Sequence, residues 1–196
     1  MKKRAVFLDR DGTINRDVGY PNSYDMVEIY PYSFSAIRKI NEAGFLSIVV
    51  TNQSGIGRGF IEEKNLFDIH RKLRIDFAKR KAIIDGIYHC PHYEQSEIPE
   101  YAKDCDCRKP KPGMAHQAVR DFHIDTTKSY MIGDKAEDIL FGINIQATSI
   151  LLMTGFGQKS LSRLKEAGIE PAYIAENLAE AVDWIMDREN EDPDRQ

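Results

Sequence analysis

Short runs of apolar, β-branched and aromatic residues alternate along this chain with segments whose apolar positions recur at helical spacing. That alternation predicts a mostly parallel sheet covered by helices. Strands are expected at AVFLD (5–9), FLSIVVTN (45–52), GIYHC (86–90), SYMIGD (129–134) and TSILLMTG (148–155), with a last short one in AYIAEN (172–177). Between them, Leu66, Ile69, His70, Leu73 and Phe77 make one helical stripe. Ala136, Ile139, Leu140 and Ile143 make a second, and Leu178, Ala181, Val182, Ile185 and Met186 a third. Lysines such as Lys72 and Lys79 fall outside the first stripe and read as a solvated face.

Two intervals lack a clear period, residues 10–32 after the first strand and residues 91–112 after the third. Both leave the carboxyl ends of strands, where open α/β sheets bind ligands.

Length and charge narrow the picture. A chain of 196 residues can bury a continuous core, and a single domain over 1–188 is expected, with the rest of the charged segment RENEDPDRQ after Arg188, residues 189–196, as a frayed tail. The net charge of −4 gives no electrostatic reason to bind nucleic acid or an anionic membrane. The apolar run after Lys2, Lys3 and Arg4 is cut short by Asp9, too soon for a signal-peptide core. A cytoplasmic monomer is the expectation. A small anionic substrate would therefore need cations placed locally.

Asp9 and Asp11 flank Arg10 at the end of the first strand, and the period of two in an extended backbone points both carboxylates the same way. Asp134 ends the fourth strand, Asp138 lies one helical turn beyond it, and the second strand ends at Thr51 and Asn52. Crowded acids raise one another's pKa unless a cation sits among them, and magnesium suits such oxygen ligands. Lys109 and Lys111 come from the other long loop. Acids, a hydroxyl and lysines on one sheet edge can hold a phosphoryl group.

The three cysteines supply a second cluster. Cys90 and His92 form a C-x-H pair, and Cys105 and Cys107 a C-x-C pair. Three thiolates and one imidazole suit a closed, structural zinc site that would pin the polar loop of about residues 90–107. His89 is the alternative imidazole, but in a strand it would face away from Cys90. Because Arg108 and Lys109 follow Cys107 at once, fixing the loop would fix two cations.

DRDGT at Asp9–Thr13, VVTNQ ending at Gln53, the lysine of RKPKPG, and GDKAED at Gly133–Asp138 resemble the four motifs of the haloacid dehalogenase superfamily. The resemblance implies a Rossmann-like three-layer sandwich and a magnesium-dependent phosphomonoester hydrolase. It assigns Asp9 as nucleophile, Asp11 as general acid and base, Thr51 as a donor to phosphoryl oxygens and Lys109 as their counter-charge. Magnesium would lie between the Asp9 carboxylate, the Asp11 carbonyl and Asp134.

Within that superfamily, CPH, CDCRKPKPGM, DRDGTINRDVGY and TNQSGIGRG resemble the heptose 1,7-bisphosphate phosphatases along nearly the whole chain. That likeness implies removal of a sugar 7-phosphate in nucleotide-activated heptose synthesis and no large cap domain. It supports Cys90, His92, Cys105 and Cys107 as zinc ligands, and puts substrate contacts at Asp17, Gly19, Tyr20, Asn52, Gln53, Ser54, Arg108 and Lys135. Arg108 suits a second phosphate, which a guanidinium binds bidentately. The chain departs from the family at Pro31, Tyr32 and Ser33, where a Pro-Gly turn is usual. Histidinol-phosphate phosphatases share the aspartate motifs and the zinc loop, but SGIGRG and DVGY fit the heptose enzymes better. A receiver-like phosphate-binding module would not need Asp11 as a proton donor.

Overall fold

The computed structural model describes residues 2–191. Six strands form one sheet in the order β3-β2-β1-β4-β5-β6, where β1 is Ala5–Leu8, β2 Leu46–Asn52, β3 Gly86–Cys90, β4 Tyr130–Gly133, β5 Thr148–Leu152 and β6 Tyr173–Ala175. All five pairings are parallel. Both sheet faces are covered, so the strands read as nearly continuous apolar runs. On β1 the side chains alternate: Val6 and Leu8 join one core, Ala5 and Phe7 the other.

The helices are α1 (Ser33–Glu42), α2 (Ser54–Gly57), α3 (Glu63–Lys79), α4 (Gly113–Phe122), α5 (Ala136–Asn144), α6 (Gly157–Glu166) and α7 (Leu178–Glu191). Leu73 and Phe77 of α3, Ile37 and Ile40 of α1, and Val182 and Ile185 of α7 fill the first core. Met114, Ala115 and Ala118 of α4 and Phe141 of α5 fill the second.

The three stripes read from sequence are α3, α5 and α7. Helices α1, α4 and α6 were not read, because much of what they bury is small or polar: Ser33 and Ala36, Ala115 and Ala118, Gly157 and Ser160. Such residues carry little hydrophobic periodicity. Helix α7 runs to Glu191, three residues into the expected tail, because Glu189 turns inward to accept from the Tyr130 hydroxyl at 2.6 Å and to pair with Arg4. The rest of that tail, 192–196, lies outside the described residues.

At the departure noted above, Tyr32 stacks on Tyr30 with ring centroids 5.2 Å apart, and Ser33 Oγ donates to the Ile14 carbonyl at 2.7 Å. These contacts tie the first long loop to the start of α1. No helix among the described residues is long and apolar enough to cross a membrane.

Candidate active site

The strand order makes β2, β1 and β4 neighbours, so the residues that follow their carboxyl ends meet. Asp9 lies one residue beyond β1 and Asp134 one beyond β4, while Thr51 sits at the end of β2. A cavity of about 490 Å³ opens there, lined by Asp9, Asp11, Thr51, Asn52, Ser54, Arg108, Lys109, Lys135 and Asp138 among others. A second of about 310 Å³ adjoins it, with Asp17, Gly19, Tyr20 and Gln53 in its wall.

Asp9 is almost fully buried and keeps two lysines: Lys109 Nζ at 2.9 Å from one oxygen and Lys135 Nζ at 3.9 Å from the other. Lys109 also donates to Asp138 at 2.5 Å. Burial works against the Lys109 charge, but Asp138 and Asp9 outweigh it and raise its pKa. Asp138 further accepts the Lys135 backbone N–H at 3.0 Å, which caps α5.

Asp134 is the strained member. Burial, then Asp9, pushes its carboxyl up to about 7. Its Oδ2 accepts the Phe156 N–H at 2.7 Å, while its buried Oδ1 has no partner. Two glycines with left-handed backbones, Gly12 (φ 91°) and Gly155 (φ 50°), wrap this carboxylate so closely that a Cβ on either would collide with it. Ligand oxygens of Asp9, Asp134 and Asp138 lie within 4.8 Å of one another. An orphaned buried oxygen among mutually repelling carboxylates is the chemistry that a hard divalent cation satisfies, so these residues fit one.

The Asp11 carboxylate does not join this group. The sequence reading pointed it the same way as Asp9, assuming extended backbone. The chain instead turns after β1: the N–H groups of Thr13, Ile14 and Asn15 all bond to the Arg10 carbonyl. Asp11 then accepts from Arg10 Nε and Nη2, from Asn15 Nδ2 at 2.9 Å and from Gln53 Nε2 at 2.8 Å. Burial pushes the Asp11 carboxyl up, but these donors, Arg10 foremost, outweigh it and hold the group below the usual carboxylate range.

Arg10 is itself fully buried, and its Nη1 meets His70 Nε2 at 3.1 Å. Burial, with Arg10 and His89 adding to it, holds the imidazole of His70 well below its usual 6.5. The unfolded chain therefore binds a proton that the folded chain refuses. The resulting stability is present above pH 6.5 and is lost as pH falls below it. The urea midpoint should accordingly drop between pH 6.5 and 5 in the wild type and drop less in His70→Gln; parallel curves would show that His70 does not titrate on unfolding.

The cysteines and His92 converge as expected. Cys90 Sγ lies 3.5 Å from Cys105 Sγ and 3.6 Å from His92 Nδ1, and Cys107 Sγ lies 3.3 Å from Cys105 Sγ and 3.2 Å from His92 Nδ1. The Cys90 contact, supported by Cys105 and His92, pulls Cys107 down to about 5, while Cys90 and Cys105 are pushed up. His89 stands outside this cluster, 3.8 Å from Glu63. The four residues can hold one metal ion.

Comparisons with known proteins agree with this geometry. A profile described as HAD-hydrolase-like matches residues 106–181. The D-glycero-beta-D-manno-heptose-1,7-bisphosphate 7-phosphatase of Pasteurella multocida is 40% identical over 91% of this chain and 94% of its own length. The chain belongs to this family of heptose bisphosphate phosphatases. A further relative, the D-glycero-D-manno-heptose-1,7-bisphosphate 7-phosphatase of Thermosynechococcus vestitus, is 37% identical over 94% of this chain and 96% of its own. The D,D-heptose 1,7-bisphosphate phosphatase of B. bronchiseptica, solved with magnesium and phosphate, superposes with a TM-score of 0.82 at 29% identity, covering 94% of this chain and 99% of that one.

Several expected substrate contacts of this family member are engaged within the protein. Asn52 holds the Lys109 backbone from both sides, accepting its N–H at 3.0 Å and donating to its carbonyl at 3.2 Å. Gln53 Nε2 bridges Asp11 and Thr51 Oγ1. Asp17 accepts the Gly19 N–H at 3.0 Å and lies 3.4 Å from Lys135 Nζ. Arg108 donates to the His92 carbonyl at 3.2 Å while lining the larger cavity. Tyr20 packs on Phe60 at 4.9 Å between ring centroids. Asn15 and His70 were not singled out as site residues from sequence; an Asn in a loop and a His on an apolar stripe carry no distinguishing signal.

Proposed function

We propose that this chain removes the 7-phosphate of D-glycero-D-manno-heptose 1,7-bisphosphate, for nucleotide-activated heptose synthesis, by way of a phosphoryl group carried on Asp9. The observation that carries the reading is a buried carboxylate held between Lys109 and Lys135 on the wall of a cavity that Arg108 also lines. An anionic nucleophile can approach an anionic ester only where such cations offset the repulsion.

In the first displacement an Asp9 oxygen bonds to phosphorus, the bond from phosphorus to the sugar oxygen breaks, and that oxygen takes a proton from Asp11. In the second, water opens the aspartyl phosphate, returns a proton to Asp11 and frees phosphate. At rest the Asp11 carboxyl is held low by Arg10. It gains its proton once a phosphoryl anion enters beside it and raises its pKa. Thr51 Oγ1 accepts from Gln53 at 2.9 Å, so we assign its own hydroxyl hydrogen to a phosphoryl oxygen. Arg108 is assigned to the second phosphate, with Asp17, Gly19, Tyr20 and Ser54 around the sugar. Magnesium, held by Asp9, Asp134 and the Asp11 carbonyl, would withdraw charge from the phosphoryl group.

Zinc is the metal we assign to Cys90, His92, Cys105 and Cys107, since three sulfurs and one imidazole leave no open position for chemistry. Thiolate ligands need a reducing compartment, which supports the cytoplasm. The cavity of about 490 Å³ suits a small molecule, and we take the protein to act as a monomer.

Phosphate release from both anomers of heptose 1,7-bisphosphate and from histidinol phosphate, with magnesium and with chelator, tests the reading. A preference for a heptose anomer of roughly 100-fold or more in kcat/KM, lost with chelator, is expected. Faster release from histidinol phosphate would overturn the substrate. Stable phosphate trapping without turnover would overturn the activity.

A further inference from the structure

Arg10 is the largest fully buried side chain of the described protein, and a buried ion pair is a poor way to stabilise a core. An apolar side chain of similar volume is often as good or better. What a guanidinium adds is geometry, since its rigid fork fixes a carboxylate in one place. Here Nε and Nη2 grip Asp11 at 3.1 and 2.7 Å, and the remaining arm, Nη1, reaches His70 on α3 at 3.1 Å. A guanidinium only donates, so His70 Nε2 must be the acceptor and the ring must be neutral, with its hydrogen on Nδ1. The imidazole is 6% exposed, and the His89 ring packs edge-on against it at 5.6 Å between centroids. The arm that grips Asp11 is thus itself held from α3, not from the active-site loop.

From this chain of contacts we propose that Arg10 is a positioning residue for the general acid and base, aiming the Asp11 carboxylate, and that His70 holds Arg10 in register. The proposal rests on the phosphoryl-transfer reading and adds a residue to it. The Arg10 guanidinium bonds to Asp11 and His70, so it acts through Asp11. Without it, Asp11 keeps Asn15 and Gln53 but loses the fork that sets its plane.

Leaving groups separate this role from a structural one. A sugar alkoxide needs the Asp11 proton to depart, whereas nitrophenolate departs without one. First-turnover rates should therefore be compared in wild type, Arg10→Lys, Arg10→Met, His70→Gln and His70→Leu, using a primary alkyl phosphate and p-nitrophenyl phosphate. Both Arg10 variants, like Asp11→Asn, should release the alcohol about 100-fold more slowly, yet the Arg10 variants should deliver the nitrophenolate burst within about threefold of wild type. His70→Gln, whose amide oxygen can still accept from Arg10, should behave as wild type; His70→Leu should share the Arg10 defect. Equal losses on both esters in a folded Arg10→Lys protein, or no loss on either, would overturn the proposal. The alkyl ester is whichever one wild type hydrolyses. A wild type inert on heptose bisphosphate but active on another ester therefore corrects the substrate and leaves this ratio readable, and one inert on every ester overturns both.

Discussion

Replacing Asp9 by Asn is expected to lower kcat by roughly four orders of magnitude or more while the protein stays folded. The amide has the carboxylate's shape but cannot accept a phosphoryl group, so the covalent route closes. Folding should survive because Asp9, although paired with Lys109 and Lys135, also repels two neighbouring carboxylates. It helps push Asp134 up to about 7 and adds to the raised pKa of Asp138. Removing its charge relieves both, and Lys109 keeps its 2.5 Å contact with Asp138. Steady-state kinetics and a thermal melt make the test. Acid quenching of wild type during turnover should recover protein-bound phosphate, and the Asn variant should yield none. A folded, metal-replete Asp9→Asn protein at full rate would remove Asp9 from the nucleophile's role.

The elements that carry this site were legible where packing and periodicity coincide. Strands buried on both faces read as apolar runs, and the acids that follow them read as a cluster because their strands are sheet neighbours. The convergence of the thiol cluster was equally plain, since few residue types bind soft metals and these four follow one another from the end of β3 into the loop after it. What could not be read was where the Asp11 carboxylate points. In an extended strand the side chain between Asp9 and Asp11 points away from both. The turn onto the Arg10 carbonyl breaks that rule and lets the guanidinium curl back onto Asp11. Asp138 was visible as one turn of helix beyond Asp134, yet its bond to Lys109 depends on where a distant loop falls. Asn52 and Gln53, which the resemblance implied as substrate contacts, carry a further part that sequence did not show: both amides also bond within the protein.

Loss of the metal from the thiol loop should be nearly as damaging as loss of the nucleophile, although none of its ligands is assigned to touch substrate. Cys107 is followed by Arg108 and Lys109, and Lys109 must deliver its ammonium to Asp9 at 2.9 Å from a backbone held by the Asn52 amide. The loop between Cys90 and Cys107 places few residues in any core, so the proposed metal ligation would be its main constraint. Cys107→Ser should reduce bound zinc well below one per chain and expose residues 91–112 to protease. It should also lower kcat/KM by about 100-fold or more, as expected when a misplaced group loses its near-attack geometry. The central sheet has its own two cores, so the far-ultraviolet circular dichroism should change little. Zinc content, limited proteolysis and kinetics on one preparation decide the matter. A zinc-free Cys107→Ser protein with wild-type kcat/KM and an intact loop would show that Asn52 alone suffices to seat Lys109.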